Sequence, residues 1–313
     1  MDKEPLSTAW SEGAASAFSA PAGRAANQQA RFRILFGQVY EDPAIEKAAF
    51  AGLGRVFCIA SAGNTALSLA AEHEVVACDI NPVQLSYAEA RARGAKPQRG
   101  DAERAMYAML KLAPLAGWTA ETLRQFLALD DAEAQIEFWR KRMDTARFRL
   151  GCRLLFSRAL LRKVYSKALL DSLPASFGSI LRHRLERGFA RHPNASNPYA
   201  RMLLLGEMID LPYEYPKRIS FVHNDAASYL ESCPAASFEA LSLSNIMDGA
   251  SPEYCRRLVR AVQHAAIERA PVVWRSFGEP RSSLNVNLAK EDRSMLWGVV
   301  RVSTVEALGE ELA

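Results

Sequence analysis

The sequence predicts an α/β protein, a parallel sheet with helices on its faces, interrupted by one large helical insertion. Two observations carry that prediction. Residues Arg55 to Pro82 read as strand, small-residue loop, helix, second strand and acidic tip, and the same alternation returns beyond Arg218. Between them, from Ala102 to about Leu211, strand signals are scarce and helix-forming segments follow one another.

Residues 1–27 are rich in Ala, Ser, Gly and Pro and are expected to form a mobile arm ahead of a single domain spanning 28–313. In Glu41-Asp42-Pro43, Asp42 suits a helix N-cap and Pro43 the first helical position. Val56 to Ile59 make the apolar run of a strand buried on both faces. Ala60, Ser61, Ala62 and Gly63 then let backbone approach a ligand, and Asn64 and Thr65 suit the cap of a helix from Ala66 to Glu72. The next strand, Glu74 to Cys78, ends at Asp79, sixteen residues past Gly63.

Asn81 and Pro82 open a helix through Ala92 with Leu85 and Ala88 inward, and Lys96 to Asp101 reads as a feeble third strand. Inside the insertion, Arg140 to Lys167 laid on one helix aligns Leu150, Leu154, Leu161 and Val164 between flanking arginines, with Asp144 as its one acidic residue. Two readings stay open there: an anionic membrane interface, or a core helix whose arginines lay their stems over apolar surface. Asn197 and Pro198 begin a helix turning Met202, Leu205 and Met208 to a core. Strands at Arg218–Val222, Phe238–Leu243, Val272–Phe277 and Trp297–Ser303 complete the sheet.

Composition narrows the function. The 313 residues are 49% hydrophobic and carry a formal charge of +4, ample for a large core and too mildly basic for a dedicated nucleic-acid binder. The charge suits an anionic surface as partner. Five scattered cysteines, without C-x-x-C or histidines at ligand spacing, imply a reduced cytoplasmic protein with no metal centre. MDKEPLSTAW lacks the features of a signal peptide and no apolar run is long enough to span a bilayer, so any membrane association is expected to be peripheral, at the inner face.

In open α/β sheets ligands lie beyond the carboxyl ends of the strands, so Asp79, Asn224, Asp225, Ser244, Asn245 and Asp248 are expected to converge on one crevice. Asp79 there can accept both hydroxyls of a ribose, which points to an adenosine-bearing ligand; an ordinary βαβ crossover is the other reading of the same loop. Glu41 and Asp42 serve as helix caps or as functional carboxylates. His223 is a proton acceptor or a strand-end packing residue.

Five runs extend this. Gln38-Val39-Tyr40-Glu41-Asp42-Pro43, Ile59 to Asn64, Ala77 to Gln84, Asn197 to Gly206 and Leu243 to Asp248 occur in the order seen in the betaine-lipid biosynthesis family, which the chain resembles over most of its length. The resemblance implies a Rossmann-like class I methyltransferase fold with a helical insertion. It also implies transfer of the 3-amino-3-carboxypropyl group of S-adenosylmethionine to a diacylglycerol-type lipid hydroxyl, releasing 5′-methylthioadenosine. Ser61, Ala62, Gly63, Asn64, Asp79, Ile80, Asn224, Asp225, Ser244 and Asn245 become the candidate cofactor-binding residues, with Asp225 on the adenine amino group. Tyr40, Glu41 and Asp42 become a lid over the methionine moiety, and Glu41, Asp42, Asp248 and His223 the candidate bases for a weak alcohol nucleophile. Tyr40 stands where many relatives have tryptophan and Asp248 where glutamate is common. The acceptor therefore stays open between a lipid and a soluble small molecule, beside an ordinary methyltransferase and a non-catalytic binding module.

Overall fold

The computed structural model describes residues 32–162, 167–209, 218–280 and 286–312. The expected N-terminal arm, and Val164 of the apolar stripe, lie outside them. Six strands form one sheet: β1 (Arg55–Ile59), β2 (Glu74–Asp79), β3 (Ile219–His223), β4 (Ala240–Ser242), β5 (Pro271–Ser276) and β6 (Val299–Thr304). Their order is β3-β2-β1-β4-β5-β6, parallel throughout except that β6 runs antiparallel to β5. This is the Rossmann-like class I methyltransferase fold, with its strand order reversing between β1 and β4.

The apolar strands are covered on both faces. Along β1, Val56 and Cys58 face one layer and Phe57 the other, and in β2 Val75 and Ala77 oppose Val76 and Cys78. The first layer holds α1 (Ala44–Ala49), α2 (Asn64–Leu69) and α3 (Pro82–Ala92), which contribute Ile45, Ala66, Leu69, Leu85 and Ala88. The second holds α12 (Ala226–Ser232), α13 (Pro252–Ala265) and α14 (Val305–Leu312), through Leu230, Leu258, Val262 and Leu308. Each layer excludes water from its face of the sheet, the main favourable term in such a fold.

Between α3 and β3 the chain makes eight α-helices among the described residues. These are α4 (Asp101–Leu110), α5 (Ala120–Leu127), α6 (Ala132–Phe138), α7 (Ala146–Leu155), α8 (Arg158–Leu161), α9 (Lys167–Ser172), α10 (Phe177–Phe189) and α11 (Pro198–Leu205). They enclose a core of their own around Phe126, Trp139, Met143 and Phe189.

Several local expectations shift. Lys96 to Asp101 forms no strand; Asp101 starts α4 instead, with the Glu103 carboxylate accepting from the Gly100 N–H at 2.8 Å. The segment Arg140 to Lys167 is not one helix. A π-helical turn at Trp139–Met143 opens it, and the hydroxyls of Thr145 and Ser157 cap α7 and α8 as separate helices. Pro43 occupies the N-cap position of α1, while Asp42 accepts from the Ala44 N–H at 3.1 Å. Gly63, at φ +88°, takes the N-cap position of α2 with no side-chain cap, so Asn64 is released for other work.

Candidate functional site

At the end of β1 the chain turns sharply. The Gly63 N–H donates to the Ala60 carbonyl at 2.7 Å, and Ser61 adopts φ +45°. Asp79, at the tip of neighbouring β2, accepts from the Ser61 N–H at 3.0 Å and from the Asn81 N–H at 2.9 Å. Its carboxylate is thus aimed by two backbone donors yet stays partly exposed. Burial pushes its pKa up to about 7 against the pull of those donors. Ala62 packs inward against Val39 and Tyr87, so only its backbone lines the turn.

A strap formed by residues 32–43 crosses this edge of the sheet. Gln84 on α3 accepts from the Leu35 and Phe36 N–H groups at 2.9 and 3.1 Å, and Tyr87 donates to the Gly37 carbonyl at 2.7 Å. Asn64 accepts from the Val39 N–H at 3.0 Å. Trp297 donates to the Tyr40 carbonyl at 2.9 Å and Tyr199 to the Glu41 carbonyl at 2.6 Å. The strap that carries the expected lid is therefore fastened at Leu35, Phe36, Gly37, Val39, Tyr40 and Glu41. Asn64 holds the strap through its side-chain oxygen.

The strap delivers Glu41 to the end of β4. Ser244, at φ +54°, donates its hydroxyl to the Glu41 carboxylate. Ser61 and Ser244 are both non-glycine residues at positive φ, and they flank the point where strand order reverses; such strain is retained where surrounding structure holds it. Behind Glu41 lies a buried ionic cluster. Arg275 on β5, with no exposed surface, donates to Glu46 at 2.5 and 3.0 Å, to Asp292 at 3.0 Å and to Glu41 at 3.5 Å. Arg293 grips Asp42 through two bonds, at 2.5 and 2.7 Å.

These neighbours separate the carboxylates. Burial raises Glu41 to about 7, the Arg275 charge opposing it and that of Glu46 adding to it. Burial likewise pushes Asp42 up, but the hydrogen bonds and charge of Arg293 outweigh it and hold its carboxyl below the ordinary range. Asp248 is raised by burial, yet it accepts from Ser276 at 2.6 Å, the Phe277 N–H at 2.9 Å and Asn245 at 3.3 Å. It ties the loops after β4 and β5 together.

Other sequence-assigned residues stand elsewhere. Asp225 is buried, its carboxylate accepting from the Ser228 N–H at 2.8 Å and the Tyr254 phenol at 2.6 Å, so it caps α12 at the tip of β3. Asn224 precedes it at the strand tip, half-buried. His223 is exposed on edge strand β3 and bonds the Ile80 carbonyl at 3.1 Å. Three strand spacings, about 14 Å, separate β3 from β4, so His223 does not join Ser244. Tyr40 turns its phenol toward Met106 on α4.

No family model matches the chain, and neither does any curated protein. Among solved structures it is similar to a SAM-dependent methyltransferase from Methanosarcina mazei, at TM-score 0.34 and 11% identity over 76% of this chain and 58% of that one. It is also similar to the [4+2]-cyclase SpnF, at TM-score 0.33 and 13% identity over 98% of this chain and 66% of that one. The chain spans less than two thirds of either. Its fold assignment rests on its own strand order and pairing.

Arg275, Glu46, Asp292 and Arg293 were not singled out from sequence. One signal was present: an arginine inside the apolar run Val272 to Phe277 must bring carboxylates with it into the core.

Proposed function

We propose that this protein is an S-adenosylmethionine-dependent transferase that moves the 3-amino-3-carboxypropyl group to the hydroxyl of a diacylglycerol-type lipid, releasing 5′-methylthioadenosine. One observation carries the reading. The turn after β1, the aimed carboxylate of Asp79 and the Glu41–Ser244 pair lie along one sheet edge at the reversal of strand order, where such folds hold nucleotide ligands. Four of the five resembling sequence runs, spread from residue 38 to residue 248, contribute residues to it.

The residues fit the co-substrate. Asp79 holds the ribose diol, the Ser61 to Gly63 backbone lines the methionine arm, and Asn224 lines the adenine side. Four carboxylates, Glu41, Asp42, Glu46 and Asp292, face two guanidinium groups, Arg275 and Arg293, a balance that suits a sulfonium cation. S-Adenosylmethionine supplies the activated carbon and a neutral thioether leaving group. The acceptor oxygen forms the new C–O bond as the C–S bond breaks, and its proton passes to Glu41. Among the four candidate bases, Asp42 is locked and acidified, Asp248 is triply engaged and His223 is strands away; Glu41 is poised near neutrality beside a hydroxyl.

Transfer of the aminocarboxypropyl group in place of methyl rests on the sequence resemblance. Incubation with S-adenosylmethionine and diacylglycerol, with identification of the nucleoside product, tests it. The expected product is 5′-methylthioadenosine; accumulation of S-adenosylhomocysteine in its place overturns this reading in favour of an ordinary methyltransferase.

A further inference from the structure

Five of the nine large hydrophobic side chains exposed among the described residues belong to one stretch of the helical insertion: Leu112, Leu115, Leu150, Leu154 and Leu160. The first four are 50%, 69%, 52% and 60% exposed, far more than scattered surface leucines need be. The 3₁₀ turn Ala113–Ala116, which carries Leu115 and follows Leu112, is pinned to the start of α7, the helix that carries Leu150 and Leu154. Thr145 donates to the Ala116 carbonyl at 2.8 Å, and the Trp118 and Phe148 rings lie 4.4 Å apart.

Helix α7 is apolar on two sides. Cys152 is buried and Phe148 packs on the insertion core, while Leu150 and Leu154 project from the opposite face. Around them stand exposed arginines. Arg149 and Arg158 pair with Asp144 and Asp171, whereas Arg147, Arg153 and Arg162 have no ion-pair partner among the described residues. A second copy of the chain docked face to face would oppose arginine to arginine. A neutral apolar partner would leave those charges desolvated and unpaired.

We infer that this face is a docking surface for an anionic lipid bilayer, with the leucines entering the interface and Arg147, Arg153 and Arg162 bound to acidic headgroups. The face is joined to the candidate site. Leu161 at the end of α8 and Leu170 on α9 pack in one cluster with Phe277, whose N–H is held by Asp248. A lipid drawn to the face arrives beside the loops after β4 and β5. The inference adds a partner to the reaction proposed above and does not depend on it, because docking is measured without S-adenosylmethionine.

The test is sedimentation of the full chain with vesicles of phosphatidylcholine alone or mixed with phosphatidylglycerol, at low and high salt. Binding is expected only to the mixed vesicles and is expected to weaken as salt rises. The triple variant Arg147→Gln, Arg153→Gln, Arg162→Gln should lose about a hundredfold in affinity at low salt. Leu150→Ser with Leu154→Ser should also release the protein, while unfolding temperature and soluble-nucleoside binding stay unchanged. Equal binding to both vesicle types, or variants that bind as well as the parent, would overturn the proposal.

Discussion

Arg275 and Glu46 form a two-bond ion pair, at 2.5 and 3.0 Å, in which neither side chain has any exposed surface. The pair joins β5 to α1 and, through Glu41, the strap to the carboxyl edge of the sheet. Removing one member of such a pair leaves the other charges buried and uncompensated.

Arg275→Met is therefore expected to destabilise the fold by about 3–5 kcal/mol. The loss should be smaller in acid, where Glu41 and Asp292, both raised by burial, can take up protons, and larger above neutrality. Urea unfolding at several pH values measures this. A variant whose loss is independent of pH would refute the assignment of Arg275 as the counter-charge for both.

Glu41→Gln separates proton transfer from packing. Glu41 rises from 4.5 to about 7 on folding, so the folded chain holds a proton that the unfolded chain has released. Stability from this group is complete below pH 4.5 and is lost as pH rises through about 7, an effect of at most about 3 kcal/mol. The glutamine variant should show a flatter stability profile over that window. Its turnover should fall about 10²–10⁴-fold, while the parent's rate rises with pH around 7. Unaltered turnover in the variant would eliminate Glu41 as the base.

The sheet was legible because burial on both faces leaves continuous apolar runs, as in Val56 to Ile59 and Val272 to Phe277. Asp79 was legible too, since a strand tip needs no distant partner to be recognised. The capping role of Asp225 was not legible, for a related reason. A strand-end aspartate before a helix serves equally as an N-cap, and only the position of Tyr254, twenty-nine residues on, decides which way it points. The ionic cluster joins residues 41, 46, 275 and 292, and no local pattern encodes a pairing across some 230 positions. The single basic helix failed because two hydroxyl caps, Thr145 and Ser157, outweighed an apolar stripe running through them.

Asp79→Asn keeps the size of the group but removes its charge and leaves one acceptor oxygen for the two N–H groups of Ser61 and Asn81. S-Adenosylmethionine affinity is expected to fall about 10- to 100-fold, the value of hydrogen bonds from hydroxyls to a charged group. Because the carboxylate titrates near 7, parental affinity should weaken as pH falls below that value while the variant stays flat. Calorimetric titration across pH reads both. An unchanged affinity would remove Asp79 from the ribose site.

Gly37 tests whether the strap matters beyond stability. A β-carbon there would lie 1.8 Å from the Gln98 carbonyl oxygen, which is backbone and cannot swing aside. Gly37→Ala must therefore lift the strap, weakening the bonds its N–H makes to Glu103 and its carbonyl accepts from Tyr87. Overpacking of this kind costs about 1–3 kcal/mol, and a thermal melt should show it. Turnover should drop further than the melt implies, because the displaced strap carries Glu41 away from Ser244. Gly151→Ala inside α7, where an added β-carbon meets nothing within 4 Å, should leave turnover as it is and raise stability by about 0.5–1 kcal/mol, alanine being the better helix former. If Gly37→Ala lowers stability and leaves turnover of the remaining folded protein intact, the strap is scaffold only and Glu41 has no part in the chemistry.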